Sequence, residues 1–281
     1  MNFQEAVILL TRDCNFNCYH CYVKKIKKEI PFSYLSFLIE EFIPKYKIRK
    51  IILIGGEPFL YGKLPLLFKK LTQTKDVEVM ITTNGSIYSE NLVKLLQSIN
   101  LKLLKISLHS LDPLIFSKFT GTKNQYNKVL KNIEKFSKFF NIGISMTVTK
   151  LNYTEIERLI KFCKEKGIKF FQINQLTLAG KGAEIKEQRL EDNLIKEIKE
   201  RLKKYSNENL IIKYDDCLRC NLGRKLIIDV DGSIYPCAAL VSYPKFKIGN
   251  IYSPERKLEY KLKILNKQRT KKCFIEDIVK S

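Results

Sequence analysis

Short apolar runs alternate with amphipathic stretches from residue 6 to about residue 179. The runs are apolar at nearly every position, which is typical of strands that are buried on both faces. The stretches between them place apolar residues at helical spacing, as Leu35, Leu38 and Phe42 do. This pattern predicts six strands, at residues 7–10, 51–54, 77–81, 103–108, 142–148 and 168–176. It predicts helices between them at residues 32–45, 64–71, 91–99, 124–140 and 153–166.

The alternation of strands and helices predicts an α/β fold whose strands lie parallel and are joined by right-handed crossovers. Ligand sites in such folds lie at the carboxyl ends of the strands. Polar or glycine-rich segments follow each of the first three predicted strands, at residues 14–21, 55–58 and 82–85. We therefore expect these three segments to converge on one rim of the sheet.

The pattern changes after residue 182. A charged amphipathic helix is predicted at residues 190–205, and shorter apolar runs follow it. The pair Asp231-Gly232 between two apolar runs predicts a β-hairpin at residues 226–235. We place a domain boundary near residue 185, which divides the chain into domains of residues 1–185 and 186–281.

Eight cysteines are present, and most lie in two clusters. The first cluster, Cys14-x3-Cys18-x2-Cys21, directly follows the first strand and supplies three thiolates from one loop. A four-iron cluster normally takes four ligands, so three cysteines would leave one iron open to a cofactor or substrate. Structural zinc is the alternative, with His20 as a conceivable fourth ligand, although His20 lies between two of the cysteines and would strain the loop. Cys163 lies at helical spacing among apolar residues and is predicted to be a core residue.

The second strand ends in Gly55-Gly56-Glu57-Pro58. Two glycines allow the backbone to approach a ligand closely, and the proline restricts the turn. Glu57 and the nearby carbonyl groups could accept hydrogen bonds from an ammonium group. This segment is therefore a second candidate for the binding site at the rim.

These two motifs in this order resemble the radical S-adenosylmethionine (SAM) superfamily, over about residues 6–180. The segments Thr83-Asn84-Gly85 and 107–112 are similar to that family as well. The resemblance implies a partial (β/α)6 barrel, similar to a TIM barrel, in which a [4Fe-4S] cluster reduces SAM to methionine and a 5′-deoxyadenosyl radical. That radical abstracts a hydrogen atom from the substrate.

The resemblance also implies roles for particular residues. Cys14, Cys18 and Cys21 would hold the cluster as the catalytic centre. The segment 55–57 would meet the methionine amino group of SAM, and Ser107 would contact its ribose or carboxylate. The cofactor-binding residues that the resemblance implies are His20, Gly55, Gly56, Glu57, Pro58, Thr83, Asn84 and Ser107. His20 stands where many members of the family carry an aromatic residue that packs on adenine.

The second cysteine cluster consists of Cys217, Cys220, Cys237 and Cys273. These thiolates could hold either a four-iron cluster or a structural zinc ion, and their spacing does not distinguish the two. Gly232 and the ending Tyr235-Pro236-Cys237 resemble the C-terminal SPASM extension, or its shorter twitch form. That resemblance implies a small hairpin and helix extension that holds one auxiliary [4Fe-4S] cluster. Its metal ligands would be Cys217, Cys220, Cys237 and Cys273.

The chain is strongly basic, with 51 Lys and Arg against 29 Asp and Glu and a formal net charge of +22. The lysines are scattered over many helices, so a nucleic-acid partner is not favoured. No apolar run reaches the roughly 18 residues that a membrane-spanning helix needs. The first residues lack the features of a signal peptide. We therefore expect a cytoplasmic protein with no membrane partner.

Three functions remain open. The SPASM resemblance implies an enzyme that modifies a ribosomally made precursor peptide by thioether formation, carbon–carbon crosslinking or epimerisation, with a ferredoxin or flavodoxin as electron donor. An acidic peptide would suit the basic charge. The first alternative is oxidation or rearrangement of a small molecule such as a sugar, nucleotide or tetrapyrrole. The second is a zinc-stapled basic protein that binds nucleic acid.

His109, near the end of a strand, is either a general acid or base or a structural residue.

Overall fold

A computed structural model describes residues 5–74, 76–215 and 225–253. The strands of this part of the chain form one ten-stranded sheet in the order β10-β9-β8-β1-β2-β3-β4-β5-β6-β7. The strands are β1 (Glu5–Leu9), β2 (Lys50–Ile54), β3 (Glu78–Thr83), β4 (Leu101–Ser107), β5 (Ile142–Val148), β6 (Phe170–Gln175), β7 (Ile211–Asp215), β8 (Lys225–Ile228), β9 (Ser233–Tyr235) and β10 (Gly249–Asn250).

The strands from β8 through β1 to β7 run parallel, and this confirms the predicted α/β class with a mostly parallel, barrel-like sheet. All six predicted strands are present. The sheet also contains two parallel strands beyond those six, β7 beside β6 and β8 beside β1. Short apolar runs such as these do not reveal which strand they pair with, because pairing depends on the path of the chain between them.

Helices follow the strands and cover one face of the sheet. They are α1 (Phe32–Phe37), α2 (Ile43–Lys45), α3 (Leu64–Leu71), α4 (Glu90–Gln97), α5 (Pro113–Thr120), α6 (Tyr126–Ser137), α7 (Ile156–Glu165), α8 (Lys181–Glu184) and α9 (Asp192–Lys203). The predicted helix at 32–45 contains a π-helical segment, Leu38–Phe42, that separates α1 from α2. Helix α5 was not predicted.

The two faces of the sheet differ in burial. On β4 and β6 the side chains of Leu104, Ile106, Phe171 and Ile173 are fully buried against the helices. The residues that alternate with them are only partly buried and face the concave side of the sheet. This concave side is called the lumen below, and Cys163 packs outside it, in the core, as predicted.

The predicted hairpin is formed by β8 and β9, and Gly232 takes the positive φ of 75° that its turn requires. Its first strand also pairs with β1, so the sheet continues across the boundary predicted near residue 185. The division into two domains stays a prediction. No helix in the described ranges is long and apolar enough to cross a membrane.

Candidate functional site

The three cysteines of the first cluster lie on the loop between β1 and α1, at the carboxyl end of β1. This loop, residues 11–30, is called the cysteine loop below. The thiols of Cys14, Cys18 and Cys21 are partly buried and are close enough for their charges to interact. Burial, together with the neighbouring thiolates, raises the pKa of Cys14 to about 11 and raises the pKa of Cys18 as well. Positive charge from iron would offset both effects.

The glycine pair after β2 packs directly against the cysteine loop. The Gly56 amide donates to the Thr11 carbonyl over 2.7 Å, and the Glu57 amide donates to the Asp13 carbonyl over 2.8 Å. A Cβ atom on Gly56 would lie 2.1 Å from the Asp13 carbonyl oxygen, and one on Gly55 would lie 2.5 Å from the Thr11 carbonyl oxygen. The close approach expected for these glycines is thus to the backbone of the cysteine loop. Their contact with SAM stays a prediction.

The Glu57 side chain is fully buried, and both of its oxygens have donors from the protein. Oε1 accepts from the Thr83 hydroxyl (2.7 Å) and the Phe59 amide (3.1 Å), and Oε2 accepts from the Asn84 amide (2.7 Å). Burial raises the pKa of Glu57 to about 7. The carboxylate therefore links the segments after β2 and β3. It has room for a further donor, and its contact with the ammonium group of SAM stays a prediction. Pro58 begins the helical turn Pro58–Leu60 at that position.

Asn84 connects the segment after β3 to the first cysteine. Its Nδ2 lies 3.8 Å from Sγ of Cys14 and donates to Oδ1 of Asn15 over 2.8 Å. Its Oδ1 accepts from the amide and the hydroxyl of Ser86. The structure thus brings Thr83 and Asn84 to the rim beside Cys14, as their positions after β3 predict. The Thr83 hydroxyl is occupied by Glu57.

The segment after β6 holds the cysteine loop from the other side. The Lys181 amide donates to the Cys21 carbonyl over 3.0 Å, and its ammonium group donates to Oδ1 of Asn17 over 2.6 Å. A Cβ atom on Gly182 would lie 3.2 Å from the His20 carbonyl oxygen and 2.2 Å from that of Thr177. Backbone contacts from two distant segments of the chain therefore determine where the three thiols stand.

Four rings form a cluster beside the cysteines. His20 lies 4.7 Å from His109 and 4.5 Å from Phe119, measured between ring centroids, and Phe119 also contacts Tyr19. His109 stacks on Phe119 at 4.4 Å. Burial lowers the pKa of His20 to about 3 and places the pKa of His109 well below its ordinary value.

His109 accepts the Thr147 amide at Nδ1 over 3.0 Å, so a neutral ring carries its proton on Nε2. This packing favours the structural reading of His109. His20 is partly buried, and its Nδ1 has no hydrogen-bond partner among the residues that the structure describes. A flat ring with an unpartnered nitrogen suits the predicted contact with adenine, which stays a prediction.

Ser107 ends β4 on the lumen side and is level with Ser145 of β5. The same face of the sheet contains Lys105, Gln172 and Asn174, which sequence analysis did not single out. The available signal was a polar residue at every second position of two otherwise apolar strands.

The hairpin packs on the outer side of the cysteine loop. Arg12 forms a two-pronged ion pair with Asp229 and also donates to the Val241 carbonyl over 3.0 Å. Cys237 is close enough to Tyr22 that a charge on its sulfur would raise the Tyr22 pKa. The other three predicted auxiliary ligands, Cys217, Cys220 and Cys273, lie outside the described residues.

The placement of the cysteine thiols bears on which metal group the site can hold. In the described ranges, no three His, Cys, Asp or Glu side chains are placed to hold a single metal ion. The thiols of Cys14, Cys18 and Cys21 nevertheless interact electrostatically. A four-iron cluster is wider than a single ion, so its thiolate ligands stand further apart. Three thiolates on one loop suit a four-iron cluster that leaves one iron open.

The fold and the three-cysteine loop define an enzyme class. The chain belongs to the Radical SAM superfamily, which matches residues 8–163. Membership implies a [4Fe-4S] cluster and SAM as cofactors, and it decides against a zinc-stapled nucleic-acid-binding protein.

Two relatives are similar in sequence. The protein named "Probable GTP 3′,8-cyclase" of Sulfolobus acidocaldarius is 30% identical over 256 residues, which are 83% of this chain and 80% of that protein. "Pre-heme d1 synthase" of Dinoroseobacter shibae is 27% identical over 177 residues, 62% of this chain and 43% of that protein.

Similar folds occur among solved structures. Streptococcus suis SuiB, bound to its precursor peptide SuiA, superposes with a TM-score of 0.77 at 19% identity. The match covers 92% of this chain and 65% of that one. At this identity the likeness shows the fold alone.

Proposed function

We propose that this enzyme uses Cys14, Cys18 and Cys21 to hold a [4Fe-4S] cluster and that it abstracts a hydrogen atom from a small anionic molecule. The observation that carries the proposal is the position of the three thiols, on one loop at the carboxyl rim, between the segments after β2 and β6. When bound, the cluster and SAM supply one-electron cleavage of the sulfonium, which yields methionine and the abstracting radical.

The residues of the chain position these groups and exclude water. Asn84 directs its amide at the Cys14 sulfur, and such hydrogen bonds tune the potential of iron–sulfur clusters. The rings of His20, His109 and Phe119 give the site a flat, largely apolar wall. Such a wall keeps solvent away from a reactive intermediate.

The relatives support a small molecule over a peptide. The name of the Sulfolobus protein contains GTP, and this chain spans most of that protein's length. A nucleotide also suits a chain with a net charge of +22. The peptide substrate and the auxiliary cluster at Cys237 stay predictions, since the similarity to the peptide-bound structure concerns fold.

The first test is anaerobic reconstitution followed by reduction with dithionite in the presence of SAM. Wild-type protein should form 5′-deoxyadenosine, and Cys14→Ala, Cys18→Ala and Cys21→Ala should each lose that activity together with about four irons. Cys163→Ala is the matched control, because Cys163 lies in the core, and it should retain both. Wild-type protein that binds iron but never cleaves SAM would refute the proposal.

The second test concerns the substrate. GTP deuterated on the ribose should transfer deuterium to 5′-deoxyadenosine, whereas guanosine, which lacks the phosphates, should transfer much less. Deuterium transfer from a peptide, together with none from GTP or a tetrapyrrole carboxylic acid, would overturn the small-molecule assignment and support the peptide prediction.

A further inference from the structure

The Lys105 side chain reaches over β5, from β4 to β6, on the lumen side of the sheet. Its Nζ on β4 donates to Oε1 of Gln172 on β6 over 3.0 Å, although β5 lies between these strands. Gly143, the β5 residue level with Lys105, leaves room for this crossing. A Cβ atom there would lie 3.4 Å from Cγ of Lys105 and 2.9 Å from Cδ1 of Phe170.

Beyond Gln172 the hydrogen bonds continue among neutral groups. Nε2 of Gln172 donates to Oδ1 of Asn174 over 2.7 Å, and Nδ2 of Asn174 donates to the Ser145 hydroxyl over 3.0 Å. The two amides thus hold each other in one orientation. An ammonium group has three donors, and the described residues accept one hydrogen bond from Lys105. The Lys105 ammonium group therefore has two further donors that find no acceptor among the described residues.

The described residues place no carboxylate in an ion pair with Lys105. Glu5 on β1 and Asp215 on β7 both act on Lys105 at longer range, and the ion pairs of Glu5 are with Lys50 and Lys225. Burial lowers the pKa of Lys105 to about 8, so the group still carries its charge at neutral pH. Holding a partly desolvated ammonium against neutral amides costs stability, and a bound anion would offset that cost.

We propose that Lys105, oriented by Gln172 and Asn174, binds an oxyanion of the substrate, a phosphate or carboxylate group, in the lumen. The inference rests on the proposed function and adds the group by which the substrate is recognised. Ser107 lies two residues nearer the rim on the same strand, about 7 Å away. An anion at Lys105 therefore leaves the rest of the substrate pointing toward the cysteine loop.

A second cation, on β7, lies near this subsite. Phe170 on β6 lies next to Gly143. The ammonium group of Lys213 on β7 lies 5.7 Å from the centroid of the Phe170 ring. This second cation also faces the lumen, since Lys213 is level with Gln172 on the neighbouring strand. It adds positive potential without replacing the directed donors of Lys105.

The test is anaerobic titration calorimetry on reconstituted, SAM-loaded protein. GTP is the phosphate probe, coproporphyrin III the carboxylate probe and guanosine the neutral probe. Lys105→Met should weaken binding of the recognised anion by about 10- to 100-fold, as expected for loss of a hydrogen bond to a charged group, and leave guanosine binding unchanged. Lys105→Arg should retain most of the affinity. Lys102→Met, an exposed position at the start of the same strand, is the matched control.

A second measurement does not depend on the folding of a variant. In wild-type protein the recognised anion should slow acetylation of Lys105 by acetic anhydride, measured by mass spectrometry, and leave Lys102 unaffected. Equal affinity in wild type and Lys105→Met overturns the subsite, as does the absence of protection or of binding by both anions. If wild type in the same preparation forms 5′-deoxyadenosine that contains deuterium from the labelled anion, the proposed function survives that failure. If it does not, the proposed function itself has failed.

Discussion

Glu57 illustrates how one buried carboxylate can organise a rim. Its three partners, the Thr83 hydroxyl and the amides of Phe59 and Asn84, all donate. A glutamine in the same place must direct its own NH₂ group at one of these donors. The arrangement therefore requires both terminal atoms of the side chain to be hydrogen-bond acceptors.

We expect Glu57→Gln to lower the free energy of unfolding by about 1–3 kcal/mol, because one buried donor loses its acceptor. The variant should also bind less iron, since Asn84 contacts the Cys14 sulfur. Thermal unfolding and iron analysis at pH 8 measure both effects. Glu200→Gln, on an exposed helix face, should change neither, and an unchanged Glu57→Gln would show that the carboxylate network is dispensable.

Lys105 gives a second prediction at this scale, concerning pH. Its pKa is about 8 in the folded protein and ordinarily 10.5, so between these values the unfolded chain binds more protons. Wild-type stability should therefore rise relative to Lys105→Met as the pH increases from 8 to 10.5. The charged groups within range of Lys105 are Lys225, Lys213, Glu5 and Asp215, and both proteins contain them. Thermal unfolding of both proteins across this window measures the difference, and a constant or falling difference would contradict the assignment.

At the scale of elements, the cysteine loop is positioned by close backbone contacts. Gly56 lies so near Asp13 that even a methyl group has no space. We expect Gly56→Ala to destabilise the protein by about 3 kcal/mol and to reduce cluster loading, because the loop must shift.

The matched control for Gly56→Ala is Gly62→Ala, a few residues further along. The nearest atom to a Cβ there is a Glu29 carboxylate oxygen at 3.5 Å, an ordinary contact. This variant should unfold and bind iron as the wild type does. Normal iron content in Gly56→Ala would mean that the loop does not depend on this approach.

Helix α5 has clear start and stop signals. Asp112 accepts from the amides of Leu114 and Ile115 and caps the helix, Pro113 occupies its first position, and Gly121 ends it with a φ of 63°. These start and stop signals are all visible in the sequence. The contact between Phe119 and His20 is not, because it depends on how α5 lies against the cysteine loop.

At the scale of the whole molecule, the ion pair between Arg12 and Asp229 joins the hairpin to the cysteine loop. Both side chains are largely buried, with 11% and 5% exposure. Removing one partner leaves the other charge buried without compensation. We expect Arg12→Gln to cost about 3 kcal/mol of unfolding free energy.

Thermal unfolding measures this cost. Arg201→Gln serves as the control, since the pair of Arg201 with Glu157 is half-exposed and should contribute less than about 1 kcal/mol. Equal effects of the two substitutions would show that the hairpin does not rely on the buried pair.

The pattern of residues was enough to predict the order of strands along the chain, the α/β class and the three-cysteine loop. Each of these follows from apolar periodicity or from spacing within a few residues, which are local properties. The hairpin turn at Gly232 was predictable for the same reason.

Contacts between distant residues could not be predicted in this way and became visible in the folded sheet. Glu57 and Asn84 are 27 residues apart in sequence, Lys105 and Gln172 are 67 apart, and Arg12 and Asp229 are 217 apart. These contacts depend on strand order and register, which the sheet determines as a whole. The role proposed for Lys105 therefore depends on Gly143 on the neighbouring strand and on Gln172 two strands away.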